Sequence, residues 1–215
     1  MKRRLVIVGA GGFGREVFGL AREAVGRGSD FADVKGFLDA RADALAAFDG
    51  YPPVLGAPDA YAPAPDDVFV MALGDVAARR RCADALAARG ARFVPLVHRS
   101  ASLGPHAAVG DGALVAQHAV VSADAAVGRH ACVFQGAVVG HDARVGDFAH
   151  VYALCALGGG VTLGEGAVVY PGARIAPRRR VGARAVVGIG SVVLVNVRDG
   201  ETVFGNPARP VDILN

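Results

Sequence analysis

The sequence predicts two folds in tandem, a small α/β unit followed by an all-β parallel β-helix. Two observations carry this. From Leu103 onward an aliphatic residue recurs at every sixth position, and near the N-terminus a strand-like run leads into a glycine-rich turn. The composition agrees: among 215 residues 30 are Gly, none is Trp and aromatics reach only 7%, as repeats built from small residues require.

The first unit opens with Leu5 to Val8, a strand, then Gly9-Ala10-Gly11-Gly12-Phe13-Gly14, which fits G-x-G-x-x-G, then a helix over Arg15 to Arg27. Lys35 to Asp39 reads as a second strand with an acid at its end, and Asp67 to Leu73 as a third. Gly74-Asp75 then turns into a helix over Val76 to Arg89. Tyr51 to Pro53 and Pro58 to Pro65 are proline-rich surface loops. A tight glycine turn between strand and helix lets backbone N–H groups and a helix N-terminus face a phosphate, so the unit is a candidate nucleotide or nucleotide-sugar binder. Asp39 is placed to accept hydrogen bonds from a ribose or base, or to cap a turn. About 97 residues make only a half-size βαβαβ unit, which argues against hydride transfer with a dinucleotide. The expected domains are residues 1–97 and 98–215.

The second unit keeps its beat without insertion. Stepping by six from Leu103 to Val193, all 16 positions are Val, Leu or Ile. Two residues earlier, Ala stands in 12 of those 16 repeats, the exceptions being Cys155, Val161, Arg179 and Ser191. Neither a helix, with period 3.6, nor a plain strand, with period 2, produces this; a β-helix does, each short strand giving one aliphatic side chain to a central stack. Phe134, Tyr152 and Tyr170 lie 18 residues apart, so three hexapeptides make one coil and these rings form a packing ladder. Sixteen hexapeptides give about five coils.

These features are similar to the hexapeptide-repeat acyltransferases, whose β-helix is left-handed. The glycine-loop domain joined through Val97-His98-Arg99-Ser100-Ala101 narrows the resemblance to the NeuD/PglD-like bacterial sugar acetyltransferases, and the tail Val203 to Pro210 resembles the ending of such enzymes. The resemblance implies a homotrimer with acetyl-CoA as cosubstrate between subunits and the nucleotide-sugar held by the small domain. It implies substrate contacts at Gly9, Gly11, Gly12, Asp39 and Gly74, with Arg79 a looser phosphate candidate, and acetyl-CoA contacts at the amides of Gly159, Gly188 and Ile189.

Acetyl transfer needs a base for the acceptor's proton and donors for the developing oxyanion. Six histidines are available. His106, His118 and His130 share one slot, three after the aliphatic residue, and read as ordinary corners. His141 sits two after Val139 and precedes Asp142. The resemblance makes His141 the general base, Asp142 its orienting partner and His150 a second histidine near the acetyl and acceptor groups. Asp142 stands where some relatives have Glu, one methylene shorter, and Phe134-Gln135 replace an Asn-Thr pair, so the acceptor pocket differs. Arg179, inside Arg178-Arg179-Arg180, is a candidate CoA phosphate contact or part of a solvated charge run.

The expected activity is N-acetylation of the 4-amino group of a nucleotide-linked sugar in bacterial surface glycan synthesis. O-acetylation of a sialic acid or other sugar hydroxyl is the alternative, and a non-catalytic β-helical binding protein a distant one. A zinc site of the γ-carbonic anhydrase type needs an H-x4-H pair, which the histidine spacings lack, so no metal is expected. A net charge of +3 is too mild to argue for nucleic acid. The longest near-apolar run, Ala185 to Val197, is 13 residues and holds Ser191 and Asn196, so no membrane span is expected. The three cysteines are an odd, sparse set, as in a reducing cytoplasm.

Overall fold

The computed structural model describes residues 3–24 and 30–211, which divide into two compact units, 1–99 and 100–215. The first unit is built on five parallel strands: β1 (Arg4–Val8), β2 (Asp33–Leu38), β3 (Val54–Gly56), β4 (Asp67–Met71) and β5 (Arg92–Phe93), in the order β3-β2-β1-β4-β5. Three strands are anticipated by the sequence; β3 and β5 are additional edges. The two helices are α1 (Gly12–Ala24) and α2 (Val76–Ala87). Helix α1 starts three residues before the expected Arg15, taking in the last glycines of the loop, and its expected extension to Arg27 lies outside the described residues. Strands β1 and β4 are buried along most of their length, which suits continuous apolar runs at the centre of a parallel sheet.

Near the N-terminal ends of β2 and β4, Lys35 Nζ donates to Asp67 Oδ1 at 2.6 Å and to the Tyr61 hydroxyl at 2.9 Å. Tyr61 donates to Asp67 Oδ2 at 2.7 Å, and the Ala64 N–H adds a fourth bond at 2.9 Å. Burial pushes the Asp67 carboxyl up, but these donors outweigh it and hold the group below the usual carboxylate range.

The second unit is a parallel β-solenoid of two-residue strands, each holding one member of the six-residue series. One face stacks the strands at Ser102–Leu103, Val120–Val121, Val138–Val139, Ala156–Leu157, Arg174–Ile175 and Val192–Val193. A second stacks those at residues 108–109, 126–127, 144–145, 162–163 and 180–181. The third carries Leu114–Val115, Cys132–Val133, His150–Val151, Val168–Val169 and Val186–Val187. From Val115 on, every aliphatic member of the series is buried. The solenoid runs past the five coils that the repeat implies. Val197 pairs with Val181 and Val203 with Val187, each sixteen residues on instead of eighteen, so the stack continues after the beat has broken. Cys155 fills an interior alanine slot, and burial pushes its thiol up to about 11.

The corners obey one rule. The residue three after the aliphatic takes a left-handed backbone, with φ from 55° to 60° at His106, His118, Asp124, His130, Asp142, Phe148, Leu154, Arg178 and Arg184. Glycine fills several of the remaining corners, as at Gly112, Gly136 and Gly160. The three regularly spaced histidines are thus corner residues, as their spacing indicates. The aromatic ladder also forms: Phe134 stacks on Tyr152 at 4.7 Å and Tyr152 on Tyr170 at 5.4 Å.

Asp67→Asn is expected to destabilise the protein by roughly 1–3 kcal/mol near neutral pH. A carboxyl whose pKa is depressed by folding contributes stability that is full above about pH 4 and lost as pH falls through the folded value. Thermal melts taken down the acid limb should therefore fall more steeply for the wild type than for Asp67→Asn.

Candidate active site

In the first unit the predicted contact residues gather at the C-terminal edge of the sheet, where α1 and α2 leave β1 and β4. In open parallel sheets this switch point is where ligands bind. Gly9 has φ of 109° and lies so close to β4 that a Cβ would stand 2.7 Å from the Ala72 carbonyl oxygen. Gly14 presses on the loop in turn, where a Cβ would fall only 2.0 Å from the Gly9 oxygen. These two glycines close the turn. Gly11 has open space around it and Gly12 almost so, with only an Arg15 side-chain nitrogen at 4.0 Å. Gly74 is open as well, and Asp75 caps α2 by accepting from the Ala78 N–H at 2.6 Å.

Asp39 is tied down. Its Oδ2 accepts from the Ala10 N–H at 2.9 Å, and its Oδ1 from the Arg41 N–H at 3.0 Å and from Arg41 Nε at 3.2 Å. Burial raises its pKa, yet the two backbone donors and the guanidinium bring it below the usual range. Asp39 therefore fixes the glycine loop in place. Arg79 is fully buried on α2, one turn beyond the cap.

In the second unit His141 and Asp142 stand together at the corner after Val138–Val139. His141 Nδ1 donates to Asp142 Oδ2 at 2.7 Å, with both side chains largely exposed. The shorter acid reaches the ring directly, and Asp142 holds the left-handed corner, with φ of 60°. Asp is among the residues that tolerate this conformation best. One coil on, Gly159 forms the bed of the ring: a Cβ there would sit 2.3 Å from His141 Nε2. The neighbouring amides are spent, Gly158 on Ile175 and Gly160 on the His141 carbonyl. The Gly159 N–H makes no hydrogen bond among the described residues, and the ring nitrogen that faces away from Asp142 lies over this glycine. Of the other expected pair, Gly188 donates its N–H to Val203 and is packed by Phe204, while Ile189 is 63% exposed.

His150 is not at this corner. It lies on the third face, 1% exposed, with Phe134 and Tyr152 ring centroids at 6.0 and 5.7 Å. Arg179 occupies the slot that alanine fills elsewhere, with its Nε buried, and Arg180 pairs with Asp199 at 3.0 Å. Among the described residues, no group of three His, Cys, Asp or Glu side chains is placed to hold a metal ion, and no helix is long and apolar enough to cross a membrane. The fixing of the loop by Asp39 and the glycine bed under His141 are not apparent from motif spacing. The second is encoded all the same, since Gly159 lies one 18-residue coil after His141.

A glycine loop at a switch point and an exposed His-Asp pair on a parallel solenoid define the class: a hexapeptide-repeat acyltransferase. The comparisons with known proteins are specific. Residues 4–86 match the family described as the PglD N-terminal domain. Over 97% of each chain, this one is 30% identical to PerB from Caulobacter crescentus, solved in complex with CoA and GDP-perosamine, with a TM-score of 0.85. A histidine-to-asparagine variant of the perosamine N-acetyltransferase from the same bacterium, with the same two ligands, gives 28% identity, a TM-score of 0.86 and 97% coverage of each chain. The acetyltransferase domain of PglB from Neisseria gonorrhoeae, in complex with acetyl coenzyme A, is 28% identical over 98% of this chain and 100% of that one, at a TM-score of 0.68. No curated protein matches in sequence. The chain belongs to the NeuD/PglD-like sugar acetyltransferases.

Gly159→Ala is expected to displace the His141 ring and lower kcat by about tenfold to a hundredfold, the scale of a misplacement near 1 Å. Because Gly159 is not among the residues with positive φ, its melting temperature should change little. Turnover and a thermal melt on the same preparation check both halves.

Proposed function

We propose that this protein transfers the acetyl group of acetyl-CoA to the 4-amino group of a nucleotide-linked sugar, with His141 as general base. The single observation that carries the reading is the His141-Asp142 pair set over Gly159, whose N–H makes no hydrogen bond among the described residues. With Nδ1–H donated to the carboxylate, the tautomer is fixed and Nε2 keeps its lone pair. Nε2 takes the proton that the amine loses as its nitrogen attacks the thioester carbonyl. In this reading the Gly159 N–H holds the developing oxyanion, and the intermediate collapses by expelling the CoA thiolate. Asp142 stabilises the imidazolium formed along the way.

The open Gly11-Gly12 and Gly74 turns, with Asp39 as their brace, support a nucleotide diphosphate held by the first unit. The complexes of similar enzymes with GDP-perosamine support an amino-sugar acceptor, and their bound CoA or acetyl-CoA supports the donor. The exposure of the His141 corner suits a site completed by a second subunit, and a homotrimer is part of this proposal. No proton-transfer step is assigned to His150, whose ring is buried.

The test is CoA release with product mass across GDP-, UDP-, dTDP- and CMP-linked 4-amino sugars and sialic acids. An N-acetylated amino sugar is the expected product. His141→Ala should lower kcat by about 10²–10⁴-fold, the usual contribution of a general base. Asp142→Asn should lower it by less while leaving acetyl-CoA affinity unchanged. Full activity in His141→Ala would overturn the assignment of the base, and an O-acetylated product would overturn the acceptor.

A further inference from the structure

Residues 40–50, which follow β2 in the first unit, form a segment nearly independent of the sheet. All but Ala44 and Leu45 are exposed. The backbone bonds close within the segment: Ala44 N–H donates to Arg41, Ala46 to Asp43 and Phe48 to Leu45, at 3.1, 2.9 and 2.9 Å. Gly50 ends it at φ of 81°, with nothing within 4 Å of where a Cβ would stand. A stretch with few buried contacts and only local backbone bonds opens at low cost.

The segment is nonetheless clipped to the glycine turn at two points. At its start one carboxylate serves both, since Asp39 accepts the Ala10 N–H of the turn and the Arg41 N–H of the segment. Near its end the Phe48 ring lies against Arg15 of α1, whose guanidinium carbon is 3.8 Å from the ring centroid. Phe48 also meets Tyr51 edge-on at 6.5 Å, and Tyr51 packs on Phe18 at 5.2 Å. Phe48 is still 43% exposed, so burial alone holds it weakly. Arg15 makes no ion pair among the described residues. One of its guanidinium nitrogens stands 4.0 Å from where a Cβ on Gly12 would be. A guanidinium stacked by its face keeps its N–H edge for an acceptor.

We infer that residues 40–50 are a lid beside the glycine turn and that Arg15 is its latch, with its face on Phe48 and its edge on the phosphates of a bound nucleotide. This rests on the functional reading above, which puts a nucleotide diphosphate at Gly11 and Gly12. An anion on the turn fixes Arg15, Arg15 fixes Phe48, and the lid settles against the turn. Linkage makes the effect mutual: a lid that cannot latch weakens the nucleotide by the same factor.

The chain has no Trp, so Phe48→Trp supplies a single fluorescent reporter, and its indole keeps the stack with Arg15. GDP, UDP and dTDP are titrated by calorimetry into the full chain, and the tightest binder is followed by acrylamide quenching of Phe48→Trp. The nucleotide should lower the quenching and shift the emission to the blue, while the matching nucleoside, which lacks phosphates, should do neither. In Phe48→Trp/Arg15→Met the nucleotide should bind about tenfold to a hundredfold more weakly, the scale of charge-assisted hydrogen bonds, and leave the quenching unchanged at saturation. Phe48→Ala should weaken the nucleotide by about twofold to fivefold, the scale of an exposed cation–π contact, with a melting temperature near the wild type's. Nucleotide that binds without altering the quenching would overturn the lid and leave the proposed function standing. A quenching change that survives Arg15→Met would overturn the latch. Failure of all three nucleotides to bind would overturn the nucleotide assignment itself, and the lid with it.

Discussion

A parallel solenoid must turn its chain three times per coil, and here each turn rests on one residue held near φ of +60°. The rest of the second unit follows from that constraint. The turn resets the strand direction every six residues, which keeps one aliphatic side chain per strand in the central stack and aligns equivalent corners from coil to coil. It also favours glycine and short polar side chains at the corners, where they bear a positive φ at least cost, although His, Phe, Leu and Arg hold other corners here. Asp142 satisfies that rule, and its corner conformation accompanies the 2.7 Å contact with His141. A position demanded by the fold thus also orients the reacting group.

Glycine performs two distinct tasks beside that pair. At Gly160 it is the corner residue, while at Gly159 it clears the volume into which the imidazole ring settles. The same division appears in the first unit, where Gly9 and Gly14 allow two backbone segments to meet and Gly11 and Gly12 leave the loop open. Asp39 converts that loop from a permissive turn into a fixed one by accepting the Ala10 N–H. In both units, then, a carboxylate locks the geometry and a glycine leaves the room.

Much of the second unit is legible in the sequence because each coil is a local copy of the last. The 18-residue spacing of Phe134, Tyr152 and Tyr170 gives their stacking, and the shared slot of His106, His118 and His130 gives their corners. The period fails as a ruler after Val193, where the chain shortens its step to place Val197 and Val203, so the stack is longer than its repeats suggest. Strands β3 and β5 escape notice for another reason: three and two residues at a sheet edge carry too little pattern to separate from loop. The His141-Asp142 pair is visible as neighbours, whereas the role of Asp39 depends on β2 returning beside β1, which no local window contains.

The central claim is that this corner presents His141 with Nδ1 protonated toward Asp142 and Nε2 free. The most direct measurement is the imidazole nitrogen resonances of His141 in nitrogen-labelled protein with the ring neutral, assigned by their loss in His141→Ala. The expected result is the Nδ1–H tautomer, with a mixture of tautomers in Asp142→Ala. A wild-type His141 carrying its proton on Nε2 would contradict the claim.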